Sequence, residues 1–185
     1  MKKIPQNRIR TIRTWVHGHG TAELIDIDSK QKSTPLIDLA SNDYLGLNKH
    51  PRLIEAAQAI MLSEGVGAGG SRLITGSRPI HKKLETALSN WLDREKVLLF
   101  PSGFQANIAA IQALANRHTP VIADRLIHHS LLIGIKASGA KLHRYAHNDL
   151  DDLEKKLILC INHHPKQSPL VITESLFSME GTSPR

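Results

Sequence analysis

At 185 residues the chain is long enough for one domain with a sizeable core, or for part of a larger one. Hydrophobic residues at 41% and charged residues at 22% are those of a soluble globular protein; no apolar run reaches the roughly 18 residues that span a bilayer, and the lone Cys160 excludes an intramolecular disulfide and fits a reducing compartment such as the cytoplasm. The net charge of +7 argues little for nucleic acid, because beyond the N-terminal arm basic residues sit beside acids (Asp151 with Lys155, Asp152 with Lys156, Asp93 with Arg94, Glu95 with Lys96) and only 4% of residues are aromatic, so an acidic small molecule such as a phosphate or coenzyme A is the better partner.

Residues 1 to about 22 read as an arm or initial helix ending in His17-Gly18-His19-Gly20. This stretch carries Lys2, Lys3, Arg8, Arg10 and Arg13 and no acid; it has no apolar segment for secretion and leaves room for a mitochondrial transit reading. Two short β segments are expected at Glu23 to Asp28 and Pro35 to Ala40, separated by the polar turn at residues 29 to 34. Ser41 to Leu47 is dense in turn formers whose side chains can bind their own backbone or a ligand. Pro51 suits the first turn of a helix running through Ser63, with Gly65 as its stop.

Gly65 to Gly76 holds five glycines in twelve residues, too many for a stable helix or strand. It lacks the Gly-Lys-Ser/Thr ending of a nucleotide-hydrolase phosphate loop. It reads either as a loop bringing backbone close to a ligand or second subunit, or as a flexible connector. Ser77 and Pro79 then start a helix whose stripe of Ile80, Leu84, Ala87, Leu88, Trp91 and Leu92 is expected in the core.

Lys96 to Phe100 reads as a strand, Ser102-Gly103 as a turn with a capping hydroxyl, and Ala106 to Arg117 as a helix with Ile108, Ile111, Leu114 and Ala115 at helical spacing. Unpaired amides and the positive dipole end meet at Gly103 and Phe104, where an anion such as phosphate would fit. Strands follow at Pro120 to Ala123, Lys141 to Ala146 and Pro169 to Thr173. Between them lie a helix closed by Gly139 and one capped by Asn148 and reaching about Ile161. This alternation predicts a doubly wound α/β layer with a mostly parallel sheet, in which ligands bind outside the carboxyl ends of the strands. Gly103 with Phe104, His128 and Ser178 fall there. The histidine pairs at 17/19, 128/129 and 163/164 lack Cys or carboxylate partners at zinc-like spacing, so no metal is expected.

Seven motifs occur in one order: Asn42 to Leu47, Gly67 to Arg72, His81 with Leu84-Glu85, Ser102 to Asn107, Ala123 to Leu126 with His128 and Ser130, His147-Asn148-Asp149, and Phe177 to Gly181. In this the chain resembles the α-oxoamine synthases, pyridoxal 5'-phosphate (PLP) enzymes of the aspartate aminotransferase fold, and within them the branch that makes 8-amino-7-oxononanoate for biotin synthesis. The resemblance implies an incomplete type I PLP large domain, with residues 1–40 as an arm with short β segments and 41–185 as the first part of the cofactor domain. It implies a cytoplasmic homodimer that condenses L-alanine with pimeloyl-CoA or pimeloyl-acyl carrier protein, with loss of carbon dioxide. By motif, Gly103 and Phe104 would hold the cofactor phosphate region, His128 would stack on the pyridine ring and Ser178 would contact the cofactor, while Asn42, Tyr44 and Arg13 (or Arg10) would face substrate.

The family's Schiff-base lysine lies in a later motif that none of the thirteen lysines here matches, and Glu180 to Arg185 drifts from the family's acidic-Gly-Asp pattern. The expectation is an amino-terminal half that does not catalyse the reaction alone. A glycine C-acetyltransferase or 5-aminolevulinate synthase fragment is the alternative within the family, and a non-catalytic remnant or partner-binding piece is the alternative outside it.

Overall fold

The computed structural model describes residues 9, 11–17, 23–28 and 36–184. Two compact units divide the chain, Met1–Gly76 and Ser77–Arg185.

In the first unit β1 (Trp15–His17), β2 (Glu23–Asp26) and β3 (Leu36–Ile37) form an antiparallel sheet in that order, with Val16 opposite Ile25 and Leu24 opposite Leu36. The initial-helix reading is therefore corrected at Trp15–His17, where alternating side chains and a partner strand favour pairing. His19 and the turn at residues 29 to 34 lie outside the described residues. Asp43 turns the chain by accepting the amide of Leu47 at 2.8 Å, and α1 (Pro51–Glu64) follows with Pro51 in its first turn and Gly65 as C-cap.

The glycine-rich loop closes on itself. The Gly76 amide donates to the Ser71 carbonyl at 2.8 Å, and a Cβ at Gly76 would stand 1.8 Å from the Gly70 carbonyl oxygen. The close approach that glycine permits at Gly76 is to the loop's own backbone.

In the second unit β4 (Pro120–Asp124) lies between β5 (Lys141–Tyr145) and β6 (Leu170–Ile172), all parallel, with Ile122 level with His143 and Val171. Every residue of β4 is buried, which its unbroken apolar run up to Asp124 requires of a strand covered on both faces. Val121 and Ala123 point to α3 (Gly103–Leu114) and α4 (His129–Ser138), packing with Ile111, Ile135 and Ile172. Ile122 points the other way, to Tyr145 and to Cys160 on α5 (Leu150–His163). Helices thus cover both faces, as the alternation predicts, and each buried isoleucine contributes about 1.5–3 kcal/mol.

Four further expectations need correction. Lys96 to Phe100 is not a strand: no described strand lies beside it to complete a ladder, and the Leu99 amide donates instead to Glu85 Oε1 at 3.4 Å. The helix after the glycine-rich loop, α2 (Pro79–Leu92), has Arg78 rather than Ser77 as N-cap, with the Arg78 amide donating to His81 Nδ1 at 2.9 Å. Its apolar stripe is not core: no residue of α2 is buried, and Trp91 is 79% exposed. Periodicity marks the face of a helix that favours cover, and cover must come from another element. Asp149, not Asn148, caps α5 by accepting the Asp152 amide, because Asn148 takes a left-handed conformation at φ 55° and turns its own side chain away.

Candidate functional site

The start of α3 and the segment after β4 bring Gly103, Phe104 and His128 together, with Ser178 on a separate turn after β6. Ser102 caps α3 by accepting the Gln105 amide at 3.2 Å, which leaves the amides of Gly103 and Phe104 outside any intrahelical bond. A Cβ on Gly103 would meet nothing within 4 Å, so the approach to those amides is open. Phe104 and His128 stand edge to face with centroids 6.2 Å apart.

His128 is the N-cap of α4. Its Nδ1 accepts the Ser130 amide at 3.2 Å and lies 2.7 Å from Ser130 Oγ, which in turn accepts from Asn107 Nδ2 at 2.9 Å. A Ser130 hydroxyl that accepts from Asn107 directs its own proton to Nδ1, so the neutral ring carries its proton on Nε2. Ser130 is fully buried and Asn107 partly so, while the His128 residue is exposed. The exposed imidazole thus stands on a fixed polar base. The His128 amide also donates to Glu174 Oε1, tying the end of β6 to the start of α4.

A second constellation adjoins the ends of β4 and β5. Asp124, fully buried, accepts the amides of Leu126 at 2.8 Å and Asn148 at 3.0 Å, and both its carboxylate oxygens lie 3.0 Å from His147 Nδ1. Burial by itself would push this carboxyl up, but the Leu126 and Asn148 amides and the His147 imidazole outweigh it and hold Asp124 below the ordinary aspartate value. His147 Nε2 lies 2.8 Å from Thr182 Oγ1, and the buried Phe177 ring packs edge to face on the imidazole at 4.5 Å. A cavity of about 720 Å³ opens here, lined in part by His147, Asn148, Thr182 and Ser183.

Ser178 lies on the exposed turn between Phe177 and Thr182, whose backbones form an antiparallel bridge. In the first unit Arg13 pairs with Asp26 at 3.6 Å, and Tyr44 Oη donates to Asn42 Oδ1 at 3.4 Å, both residues exposed. Arg10 lies outside the described residues. The structure therefore joins Phe104 with His128 and Asn42 with Tyr44. Sequence reasoning quoted Asp124 and His147 within motifs but gave them no role, and it gave none to Glu174 or Thr182. Asp124, an acid ending an otherwise apolar strand, is the signal that could have found that network.

The parallel sheet wrapped by helices on both faces is that of an incomplete α/β domain of the aspartate aminotransferase, type I PLP fold. Residues 34–185 match the aminotransferase class I and II family, and the chain belongs to it. The 8-amino-7-oxononanoate synthase of Acidithiobacillus ferrooxidans (strain ATCC 53993 / BNL-5-31) is 44% identical over 150 residues, covering 81% of this chain and 38% of that protein. The solved serine palmitoyltransferase from S. paucimobilis with a bound PLP–myriocin aldimine is 27% identical with a TM-score of 0.80, covering 92% of this chain and 42% of that one. The 8-amino-7-oxononanoate synthase structure from Francisella tularensis is 28% identical with a TM-score of 0.61, covering 80% and 39%. The chain thus spans about two fifths of the length of the relatives it matches. Among the described residues no helix is long and apolar enough to cross a membrane.

The residues at the start of α3 fit PLP by their chemistry. Two open amides at a helix start suit a phosphate, and an exposed imidazole fixed beside them suits an aromatic ring.

Proposed function

We propose that this chain forms the first part of the cofactor domain of an 8-amino-7-oxononanoate synthase, an acyltransferase that condenses L-alanine with pimeloyl-CoA or pimeloyl-acyl carrier protein in cytoplasmic biotin synthesis. The observation that carries the proposal is the open start of α3 beside the anchored His128, within a chain 44% identical to a named synthase. Residues 1–40 serve as an arm and 41–185 belong to the cofactor domain, working as a homodimer.

When bound, PLP supplies an electron sink for the carbon that loses its carboxyl group and gains the acyl group. The amides of Gly103 and Phe104 receive phosphate oxygens, and the α3 dipole favours their charge. His128, held through Nδ1 by Ser130, turns an imidazole face to the pyridine ring and keeps its proton on Nε2. Ser178 offers a hydroxyl from the turn after β6. Arg13, paired with Asp26 at 3.6 Å, is the residue proposed to meet the substrate carboxylate. Asn42 and Tyr44, a hydrogen-bonded pair, are the further residues proposed to meet substrate. None of the thirteen lysines falls in the family's Schiff-base motif, so these residues alone do not carry out the covalent step.

A second reading is favoured by the higher TM-score of the serine palmitoyltransferase structure, an α-oxoamine enzyme of different substrates. One experiment separates the two. The chain is joined to the carboxyl-terminal part of the Acidithiobacillus ferrooxidans relative and expressed in a biotin-requiring host lacking the synthase. Growth without biotin, with turnover of L-alanine and a pimeloyl thioester, is expected. A folded, cofactor-loaded chimera that uses L-serine with a long-chain thioester and ignores L-alanine would overturn the proposal.

A further inference from the structure

We infer that His147 is a positioning residue that fixes the turn carrying Ser178, with Asp124 setting its tautomer and Thr182 and Phe177 taking its hold. That Ser178 faces the cofactor rests on the function proposed above; that His147 holds the turn stands on geometry alone.

Asp124 as a carboxylate can only accept, so His147 Nδ1, 3.0 Å from both its oxygens, must be the donor. With Nδ1 engaged by the carboxylate, Nε2 is the ring atom left for Thr182, whose Oγ1 lies 2.8 Å from it, with Asn148 Nδ2 a further 3.3 Å neighbour. The carboxylate itself cannot tilt, because the Leu126 and Asn148 amides hold it in a fully buried place. A rigid acceptor thus fixes a ring, and the ring fixes a hydroxyl on an otherwise exposed segment.

That hold reaches Ser178 through short links. Thr182 accepts the Phe177 amide on its carbonyl at 2.8 Å, and Phe177 accepts the Gly181 amide at 2.7 Å. Phe177, 1% exposed, presses its ring against the His147 imidazole. Asn148 Nδ2 donates to the Ser183 carbonyl at 3.0 Å. At the other end Glu174 accepts the His128 amide. The turn from 174 to 183 is therefore clamped to the junction after β4 at one end and the junction after β5 at the other, with Ser178 between. An exposed turn of this length would otherwise sample many conformations, and a hydroxyl that must meet a cofactor gains from being held in advance.

The test uses the chain itself with Thr182→Val, which keeps the shape and deletes the hydroxyl, and Thr182→Ser, which restores it. Amide hydrogen exchange at Phe177 and Gly181, the ¹⁵N shift of His147 Nε2 and the affinity for PLP by titration are measured. In Thr182→Val we expect exchange at both amides to rise by about tenfold, the Nε2 shift to move and PLP to bind several-fold more weakly; Thr182→Ser should restore all three. Unchanged exchange in a folded Thr182→Val variant would overturn the latch. Raised exchange with wild-type PLP affinity would overturn its service to the cofactor. If the wild-type chain alone binds no PLP, the affinity comparison is made in the chimera, where wild-type affinity in Thr182→Val overturns the service to the cofactor, and exchange still decides the latch.

Discussion

Asp124 and His147 lie 23 residues apart in sequence and meet with Nδ1 3.0 Å from each carboxylate oxygen, so that the last residue of β4 is bonded to the turn that follows β5. The carboxylate is wholly buried and the imidazole nearly so, with 14% of its side chain exposed. A buried acid without partners would be costly, and here the ring and two amides offset that cost.

Asp124→Asn is the direct probe of this relationship. An amide side chain cannot accept from the Leu126 and Asn148 amides and the imidazole N–H together, since its NH₂ group would face one of those donors. We expect a loss of about 1–3 kcal/mol, read as a lower urea midpoint with an unchanged slope. The folded carboxyl sits below the ordinary 3.8, so its stabilisation is present above that value and lost as pH falls through the lower folded one. The Asn variant should lack this part of the acid sensitivity.

His143 on β5 gives a second pH dependence at a different place. Burial first, then the positive charges of Lys141, His164 and Lys156, hold its imidazole below the usual 6.5. The unfolded chain then binds the proton more readily than the folded one. Stability is therefore full above pH 6.5 and declines as pH falls through 6.5 towards the folded value. His143→Gln should flatten the stability profile between about pH 7 and 5, measured by urea unfolding at several pH values. A variant with the wild-type slope would show that His143 is not its source.

The second unit was legible in the sequence because its signals are local and mutually consistent. Ser102 before the Ile108/Ile111 spacing, Gly139 after α4 and the apolar run ending at Asp124 each mark an element boundary, and β4, α4 and β5 fall within a residue or two of expectation. What failed depends on other parts of the chain. The run Val97 to Phe100 has the composition of a strand, yet pairing requires a neighbour. The α2 stripe has the period of a buried face, yet burial requires a cover. The site divides in the same way: the open amides of Gly103 and Phe104 follow from the turn, whereas the contact of His147 with Thr182 spans 35 residues and leaves no local trace.

Gly134 makes a prediction about that local packing. A Cβ there would stand 2.9 Å from the Ile111 Cβ and 3.2 Å from the Ile108 Cα, so α4 crosses α3 where only hydrogen fits. Gly134→Ala should gain helix propensity of up to about 1 kcal/mol yet lose more by overpacking, for which about 1–3 kcal/mol is usual. Thermal unfolding is expected to show a net destabilisation; a melting temperature at or above wild type would mean that the two helices can separate without cost.

The uncovered face of α2 makes another. Leu84, Trp91 and Leu92 are 46%, 79% and 51% exposed on one helix, an apolar surface that water does not solvate well. The purified chain should self-associate with rising concentration, seen by light scattering and by binding of an apolar dye. Trp91→Glu should reduce both without lowering helix content. A chain that stays monomeric with no dye binding would contradict this account of the face.

His128 and His163 are matched histidines on opposite sides of the functional claim. His128 caps α4 and has its Nδ1 held by Ser130, itself anchored by Asn107. His163, in the last turn of α5, is exposed and bonded only locally, through Nδ1 to the Leu159 carbonyl at 2.7 Å. In the chimera, His128→Ala removes the ring that is to face the cofactor, and we expect turnover to fall by at least about tenfold, or roughly 1.4 kcal/mol of transition-state stabilisation. Part of any loss from His128→Ala is the missing helix cap, worth about 1 kcal/mol of stability, so turnover is compared at equal folded fraction and equal PLP content. His163→Ala removes a solvated side chain and should leave turnover within about twofold. His128→Asn, which can still cap α4 but has no aromatic face, should fold like wild type and turn over like His128→Ala. Full activity in His128→Asn would mean that the residue serves the helix and not the cofactor.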